Sequence, residues 1–279
     1  MGLISGELMK SAHELKVVDF DQGRHVLRYR PRLISTVEDF QEEVVLIADS
    51  RAGSLTPNPK RSFVTFGSCF AVNLAASLKT KGANVYTTMV TEDINSPSNN
   101  RMMLRRLFLG ERCKLTDDLQ EHSNVNYDEM LKGFSEATDI IFTLGNIFRI
   151  KNNSGHTIRA TRDAWLVSET FAETVECLTD VLAMLKKYTN AKIFVSVSPI
   201  PISGYMGSEF STVMEADCTS KCQLVTAIKS LNGFTYIPTF EIFRWLAAHQ
   251  RFSAFGEEGR SCRHLSPKHI EMVMGVLCR

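Results

Sequence analysis

Hydrophobic and polar positions along this chain switch repeatedly between two patterns. From residue 62 onward, short runs of consecutive apolar residues fit strands buried on both faces. Between them, apolar residues return every three or four positions, as in helices with one buried face. SFVTFGS (62–68) reads as the first strand, and the helix behind it carries Phe70, Ala71, Leu74, Ala75 and Leu78 on one stripe. ANVYTTMV (83–90) reads as the next strand. PSNNRMMLRRLFLG reads as a helix capped by Ser or Asn and stopped by glycine, and ATDIIFTLGN (137–146) as a strand ending in a polar turn. A long amphipathic helix over 168–190, with Ser168 as a candidate cap, precedes a strand over 191–202. A helix through SKCQLVTAIKSLN, a strand FTYIPTFEIF and a last helix SPKHIEMVMGVLC complete the series.

Strands that alternate with helices predict an α/β fold with a parallel sheet covered on both faces. Upstream, EDFQEEVVLIA has helical spacing and DSRAGSLTPNPKRS is a loop rich in Ser, Gly and Pro. Residues 1–60 are therefore expected to form a lead-in packed on a main domain of residues 61–279. The chain holds no internal repeat and no low-complexity segment.

Composition narrows the function classes. At 279 residues, 44% hydrophobic and 23% charged, the chain has material for a sizeable core. A net charge of +1 gives no electrostatic footprint for nucleic acid or an anionic membrane. No apolar run approaches a membrane span. The first residues lack the basic-then-apolar order of a signal peptide, and Gly6 stands where a myristoylation pattern needs Ser or Thr. Seven cysteines, an odd count, are then expected as free thiols in a reducing cytoplasm. Cys218 and Cys222 have no second pair at zinc-site spacing and are expected on one face of a helix, so neither a metal nor a cofactor is called for.

In parallel α/β sheets ligands bind beyond the carboxyl ends of the strands. Those ends are Gly67-Ser68-Cys69, Thr143-Leu144-Gly145-Asn146 and Ser198-Pro199. The first matches neither the Gly-x-Ser-x-Gly elbow nor a P-loop nor a dinucleotide fingerprint. Ser68 would nevertheless sit at a helix N-terminus, where free N–H groups and the dipole favour developing negative charge. It could equally be only the helix cap. Cys69 is a rival nucleophile, because a helix N-terminus lowers a thiol pKa. Ser68 is preferred, since the residue after it turns into the helix. For a base, His264 in SCRHLSPKHI falls on a loop just ahead of the last helix, whereas His269 falls inside that helix and is expected to pack or face solvent. His156 is a loop residue of no assigned use. Asn146 ends its strand, where a carboxamide could donate to an oxyanion or merely make a turn, and Asn95 poses the same choice.

FGSCFA (66–71), TLGN (143–146), SVSPIPI (196–202), SKCQLVTAI, YIPTFEI (236–242) and RHLSPKHI (263–270) together resemble, in this order, the blocks of the GSCFA family, a branch of the SGNH/GDSL hydrolase-like superfamily. The resemblance spans roughly residues 61–278 and implies a three-layer α/β/α sandwich with a flavodoxin-like parallel sheet. It implies Ser68 as nucleophile, His264 as base, and Asn146 as oxyanion donor beside the Ser68 N–H. Asn95 competes with Asn146, because Gly145 and Asn146 adjoin without the family's spacer. The superfamily's last block is Asp-x-x-His, but Ser261 stands three residues before His264, and Cys262 and Arg263 are not acids. Three substitutes are open: a backbone carbonyl orients His264, Glu257 or Glu258 reaches it, or the protein is not a fast hydrolase.

The reading is serine-dependent acyl transfer, as an esterase or an O-acyltransferase on a small or carbohydrate substrate. The resemblance adds polysaccharide biosynthesis as an expected setting. The alternative is a non-catalytic SGNH-like module that binds a glycan or a partner protein.

Overall fold

The computed structural model describes residues 18–20, 24–26, 34–48, 54–122, 125–153, 155–156, 164–256 and 262–278 of the chain. A hairpin of β1 (Val18–Phe20) and β2 (Arg24–Val26) precedes α1 (Val37–Ala48), β3 (Ser62–Gly67), α2 (Cys69–Thr80) and β4 (Asn84–Met89). Then come α3 (Pro97–Leu109), α4 (Lys114–His122), α5 (Tyr127–Glu136) and β5 (Asp139–Leu144). β6 (Phe148–Asn152), β7 (Gly155–His156) and β8 (Trp165–Ser168) form a small antiparallel sheet. The rest is α6 (Phe171–Tyr188), β9 (Lys192–Val197), α7 (Val213–Lys229), β10 (Thr235–Ile237), α8 (Thr239–Arg244) and α9 (Pro267–Leu277).

β3, β4, β5, β9 and β10 pair in parallel in the order β10-β9-β5-β3-β4. Counting only these five, the order is 2-1-3-4-5, the flavodoxin-like winding, and it reverses between β3 and β5. Alternation along the strands builds the two outer layers. Val64, Phe66, Ile140, Phe142 and Val195 pack with α3, α5, α6 and α7 on one face. Phe63, Ile141, Phe194 and Ile237 pack with α1, α2, α8 and α9 on the other. The result is the three-layer α/β/α sandwich. Among the described residues no helix is long and apolar enough to cross a membrane.

Departures from the sequence pattern have local causes. The strand expected over 191–202 stops at Val197, because Pro199 and Pro201 have no N–H for a ladder. FTYIPTFEIF breaks at Pro238 for the same reason and continues as α8. Ser168 ends β8, and α6 is capped by Thr170 in a box with Glu173. The polar stretch after Gly110, which fits no strand, holds the amphipathic helices α4 and α5. Gly110 itself stops α3 in the left-handed conformation at φ 70°.

One buried charge pair ties the amino ends of the central strands to the preceding loop. Arg61 donates to both Asp139 carboxylate oxygens at 2.6 and 2.9 Å, and also to the carbonyls of Thr56 and Ser54. Asp139 is only 2% exposed. Its conversion to amide leaves the guanidinium without its counter-charge. Asp139→Asn is expected to lower urea-derived stability by about 3 kcal/mol. Arg105→Ala, which loses a solvent-exposed pair with Glu111, should cost less than ~1 kcal/mol.

His269 lies inside α9 and packs rather than facing solvent. Its ring contacts Phe40 and Phe252 at 5.8 and 5.3 Å between centroids. Nδ1 faces Ser266 Oγ at 2.7 Å and Nε2 faces Gln250 Oε1 at 3.1 Å, so both nitrogens are satisfied in the neutral ring. Burial, reinforced by Lys268, pushes its pKa down from 6.5 to about 4. A depressed histidine pKa means that the unfolded chain binds the proton first. Its contribution is therefore complete above about pH 6.5 and is lost as pH falls toward about 4. The loss amounts to at most roughly 3 kcal/mol. Thermal midpoints should decline across that window in the native protein and decline less steeply in His269→Gln.

Candidate active site

The site begins with a backbone constraint. At Gly67, the last residue of β3, φ is 132°, and a Cβ there would stand 2.1 Å from the Thr143 carbonyl oxygen. Only glycine meets both conditions. This close approach lets the chain leave the sheet and start α2 at once, with Ser68 in an extended conformation as the N-cap. Ser68 Oγ accepts the Phe70 N–H at 3.3 Å and lies 3.4 Å from Thr143 Oγ1. The Ser68 N–H donates to that same Thr143 oxygen at 3.1 Å. Ser68 is thus the cap, and it also faces a cavity.

That cavity, about 210 Å³, lies beyond the carboxyl ends of β3, β5 and β9, at the switch point. Ser68, Cys69, Glu92, Lys221, Arg263 and His264 line it, with Met89, Ile200 and Ile202 as apolar wall. His264 arrives on the loop before α9. Its carbonyl accepts the Gly256 N–H at 2.8 Å, and a single bridge joins Leu265 to Phe255. The adjoining Arg263 guanidinium grips the Glu92 carboxylate and donates to the Pro201 carbonyl at 2.8 Å. Among the described residues the half-buried His264 ring has no hydrogen-bond partner. Glu257, Glu258 and Ser261 lie outside the described residues. A second cavity of about 430 Å³ opens between α2 and α9 and shares Cys69 and His264 with the first.

Neither asparagine lines the cavity. Asn146 donates from Nδ2 to the Glu92 carbonyl at 2.6 Å, and its Oδ1 accepts the Phe148 N–H at 2.7 Å. Asn95 donates to the Thr143 carbonyl at 3.1 Å, accepts from Asn100 Nδ2 at 2.9 Å, and offers its own carbonyl to the Gly145 and Asn146 N–H groups. Both carboxamides hold the loops behind the strand ends rather than facing the cavity. Cys69 does line the cavity. However, burial pushes its thiol pKa up, and the nearby Arg263 and Glu92 act in opposite directions. The expected lowering at a helix N-terminus is outweighed, so the thiol stays protonated at neutral pH. Cys218 and Cys222 are exposed on α7, away from this cavity. His156 belongs to β7.

Three cavity residues carry charge that the sequence reading passed over. Glu92 holds Ser203 through its N–H and its hydroxyl, and Arg263 through its guanidinium. Lys221 is 1% exposed and donates from Nζ to the Gly145 carbonyl. A signal for Lys221 did exist: it falls on the inward stripe of α7 with Asp217, Leu224 and Ile228, where a helix normally places apolar residues. Glu92 and Arg263 lie in irregular turns, where no periodicity points inward.

The model of the GSCFA family matches residues 112–276, more than half of the chain. The Gly67–Ala71 segment precedes that span, so the role of Ser68 rests on the geometry above. No curated protein matches the chain. Among solved structures, a carbohydrate esterase family 2 enzyme with its carbohydrate-binding domain, from Corynascus thermopiles (Myceliophthora fergusii), overlaps with a TM-score of 0.40 at 13% identity. The overlap covers 80% of this chain and 66% of that one, just under two thirds of its length. An overlap that loose decides neither fold nor chemistry. The family match, the strand order and the matching order of the sequence blocks agree, and the chain belongs to the GSCFA family.

Proposed function

We propose that the protein is a serine-dependent acyl-transfer enzyme, an esterase or an O-acyltransferase acting on a small or carbohydrate substrate. The observation that carries this reading is the shared cavity of Ser68 and His264 at the switch point of the sheet. His264 takes the Ser68 hydroxyl proton as Oγ bonds to the acyl carbon, and the carbonyl electron pair moves onto oxygen. Collapse of that intermediate expels the alcohol, which leaves with the proton from His264. Water or a second hydroxyl then takes the acyl group by the reverse sequence. The smaller cavity suits a short acyl group. The larger one, with Asn73, Ser77, Thr80 and Glu271 on its wall, suits a hydroxyl-rich alcohol.

The alternative binding-module reading draws on one observation: no acid meets the His264 ring among the described residues. An activated serine-reactive phosphonate followed by peptide mass mapping separates the two. A label on Ser68, lost in Ser68→Ala together with turnover of an activated ester, is the expected result. The same substitution should cost only about 1 kcal/mol of stability, the worth of an N-cap. A label on Cys69 moves the nucleophile by one residue. An unlabelled protein with no ester turnover leaves the binding reading.

A further inference from the structure

We propose that Lys221 supplies the charged donor that holds the oxyanion formed when Ser68 attacks an acyl carbonyl. This rests on the serine-dependent reading and extends it to a catalytic residue outside the family's serine, histidine and asparagine.

The usual donors are turned elsewhere, and neither asparagine lines the cavity. The Ser68 N–H donates to Thr143, and the Nδ2 groups of Asn146 and Asn95 donate to backbone carbonyls. Lys221, in contrast, lines the same cavity as Ser68. An ammonium has three donors, and a single one is spent, on the Gly145 carbonyl. Among the described residues the other two meet no partner. Asp217 and Glu92 attract the ammonium from a distance, but neither makes a hydrogen bond or ion pair with it among the described residues. Asp217, one turn earlier on α7, is engaged by Arg244 from α8 and by the Ile202 N–H. Glu92, in the turn after β4, is engaged by Arg263 and Ser203. Cys69 on α2 carries a protonated thiol, and His264 on the last loop is the remaining titratable group on the cavity wall.

A clamp on one carbonyl could be made by a neutral donor at lower cost, because a buried ammonium forfeits its hydration. What the positive charge adds is attraction for an anion that exists only during the reaction, which is how a preorganised site lowers a barrier. The cation keeps its protons throughout. It stabilises the oxygen that gains the electron pair, and the proton from Ser68 resides on His264. Burial pulls the Lys221 pKa down to about 8, with Asp217 and Glu92 opposing the fall. The donor should therefore be lost as pH rises through that value.

The test is the second-order rate at which a neutral p-nitrophenyl phosphonate diester modifies Ser68, followed by nitrophenolate release from about pH 6 to about pH 10. In that reaction the serine oxygen bonds to phosphorus, nitrophenolate departs, and the phosphoryl oxygen takes the place of the oxyanion. In the native protein the rate should fall above about pH 8. Lys221→Met should fold, since it replaces a buried charge with an apolar chain of similar length. It should react roughly 100-fold more slowly, as on removing one oxyanion donor, and without the alkaline fall. If the Met variant matches the native rate, or is slow but keeps the alkaline fall, Lys221 only positions Gly145 and the inference is overturned. If the Met variant does not fold, a native rate that stays level above about pH 8 overturns it and a fall sustains it. An unlabelled native protein removes the serine-dependent reading and this inference with it, whereas native labelling with an unaffected variant removes the inference alone.

Discussion

The site depends on how closely β3 and β5 run at their carboxyl ends. Gly67 presses against the Thr143 carbonyl so tightly that no side chain could be accommodated. That contact fixes where α2 starts and therefore where Ser68 stands. Thr143 serves both sides of the junction. Its hydroxyl receives the Ser68 N–H, and its carbonyl receives the Asn95 carboxamide. Asn95 in turn holds the Gly145 and Asn146 N–H groups, and Asn146 holds the Glu92 carbonyl. A single tight crossing thus organises three loops. Strands from opposite sides of the winding reversal are adjacent in space but far apart in sequence, which is why the cavity opens there.

The network also explains how charge reaches the cavity. Loops that leave a parallel sheet must satisfy their backbone groups without a ladder, and here side-chain amides do so. With the asparagines committed to structure, the polar character of the cavity passes to Glu92, Arg263 and Lys221. Arg263 and Glu92 pair on the cavity wall and tether the residue next to His264 to the turn after β4. The tether joins the histidine loop to the strand ends without occupying the imidazole. Lys221 comes from a different layer, on a helix whose next inward residues, Leu224 and Ile228, belong to the core.

The sheet and its covering helices were legible because buried parallel strands leave continuous apolar runs and their helices leave 3.6-residue stripes. FTYIPTFEIF has the apolar pattern of one long strand, but Pro238, which lacks an N–H for the ladder, ends β10 at Ile237. The helices α4 and α5 carry short apolar stripes, Leu115 with Leu119 and Tyr127 with Met130 and Phe134, so their signal was present among the charged residues around it. Ser68 and His264 could be singled out because each follows a chemical rule at an element boundary: a hydroxyl at a helix N-terminus, and a histidine on a loop before a Ser-Pro start. The Asn146 and Asn95 side chains also sit at such boundaries, but sequence could not tell whether a carboxamide faces the cavity or the loop behind it. That choice is made by partners distant in sequence, Glu92 for Asn146 and Thr143 for Asn95.

Two cavities that meet at Cys69 and His264 bear on the fate of the acyl group in the proposed reaction. The smaller holds Ser68 and the cations, so under the proposed acyl transfer the charge developing on the acyl oxygen would be met there. The larger reaches His264 from between α2 and α9 and presents hydroxyl, amide and carboxylate side chains. An incoming hydroxyl bound in the larger space would reach the imidazole through a cavity that Lys221 does not line. The base could deprotonate it without exposing the cation to bulk solvent. Hydrolysis requires only that water enter by the same route. For the proposed acyl transfer, the difference between esterase and acyltransferase would then lie in how strongly the α2–α9 cleft holds an alcohol against water, and not in the residues around Ser68. Substitutions at Asn73, Thr80 or Glu271 should therefore alter partition between the two acceptors, while acylation of Ser68 by a p-nitrophenyl ester, whose leaving group has no hydroxyls for those side chains to hold, keeps its rate.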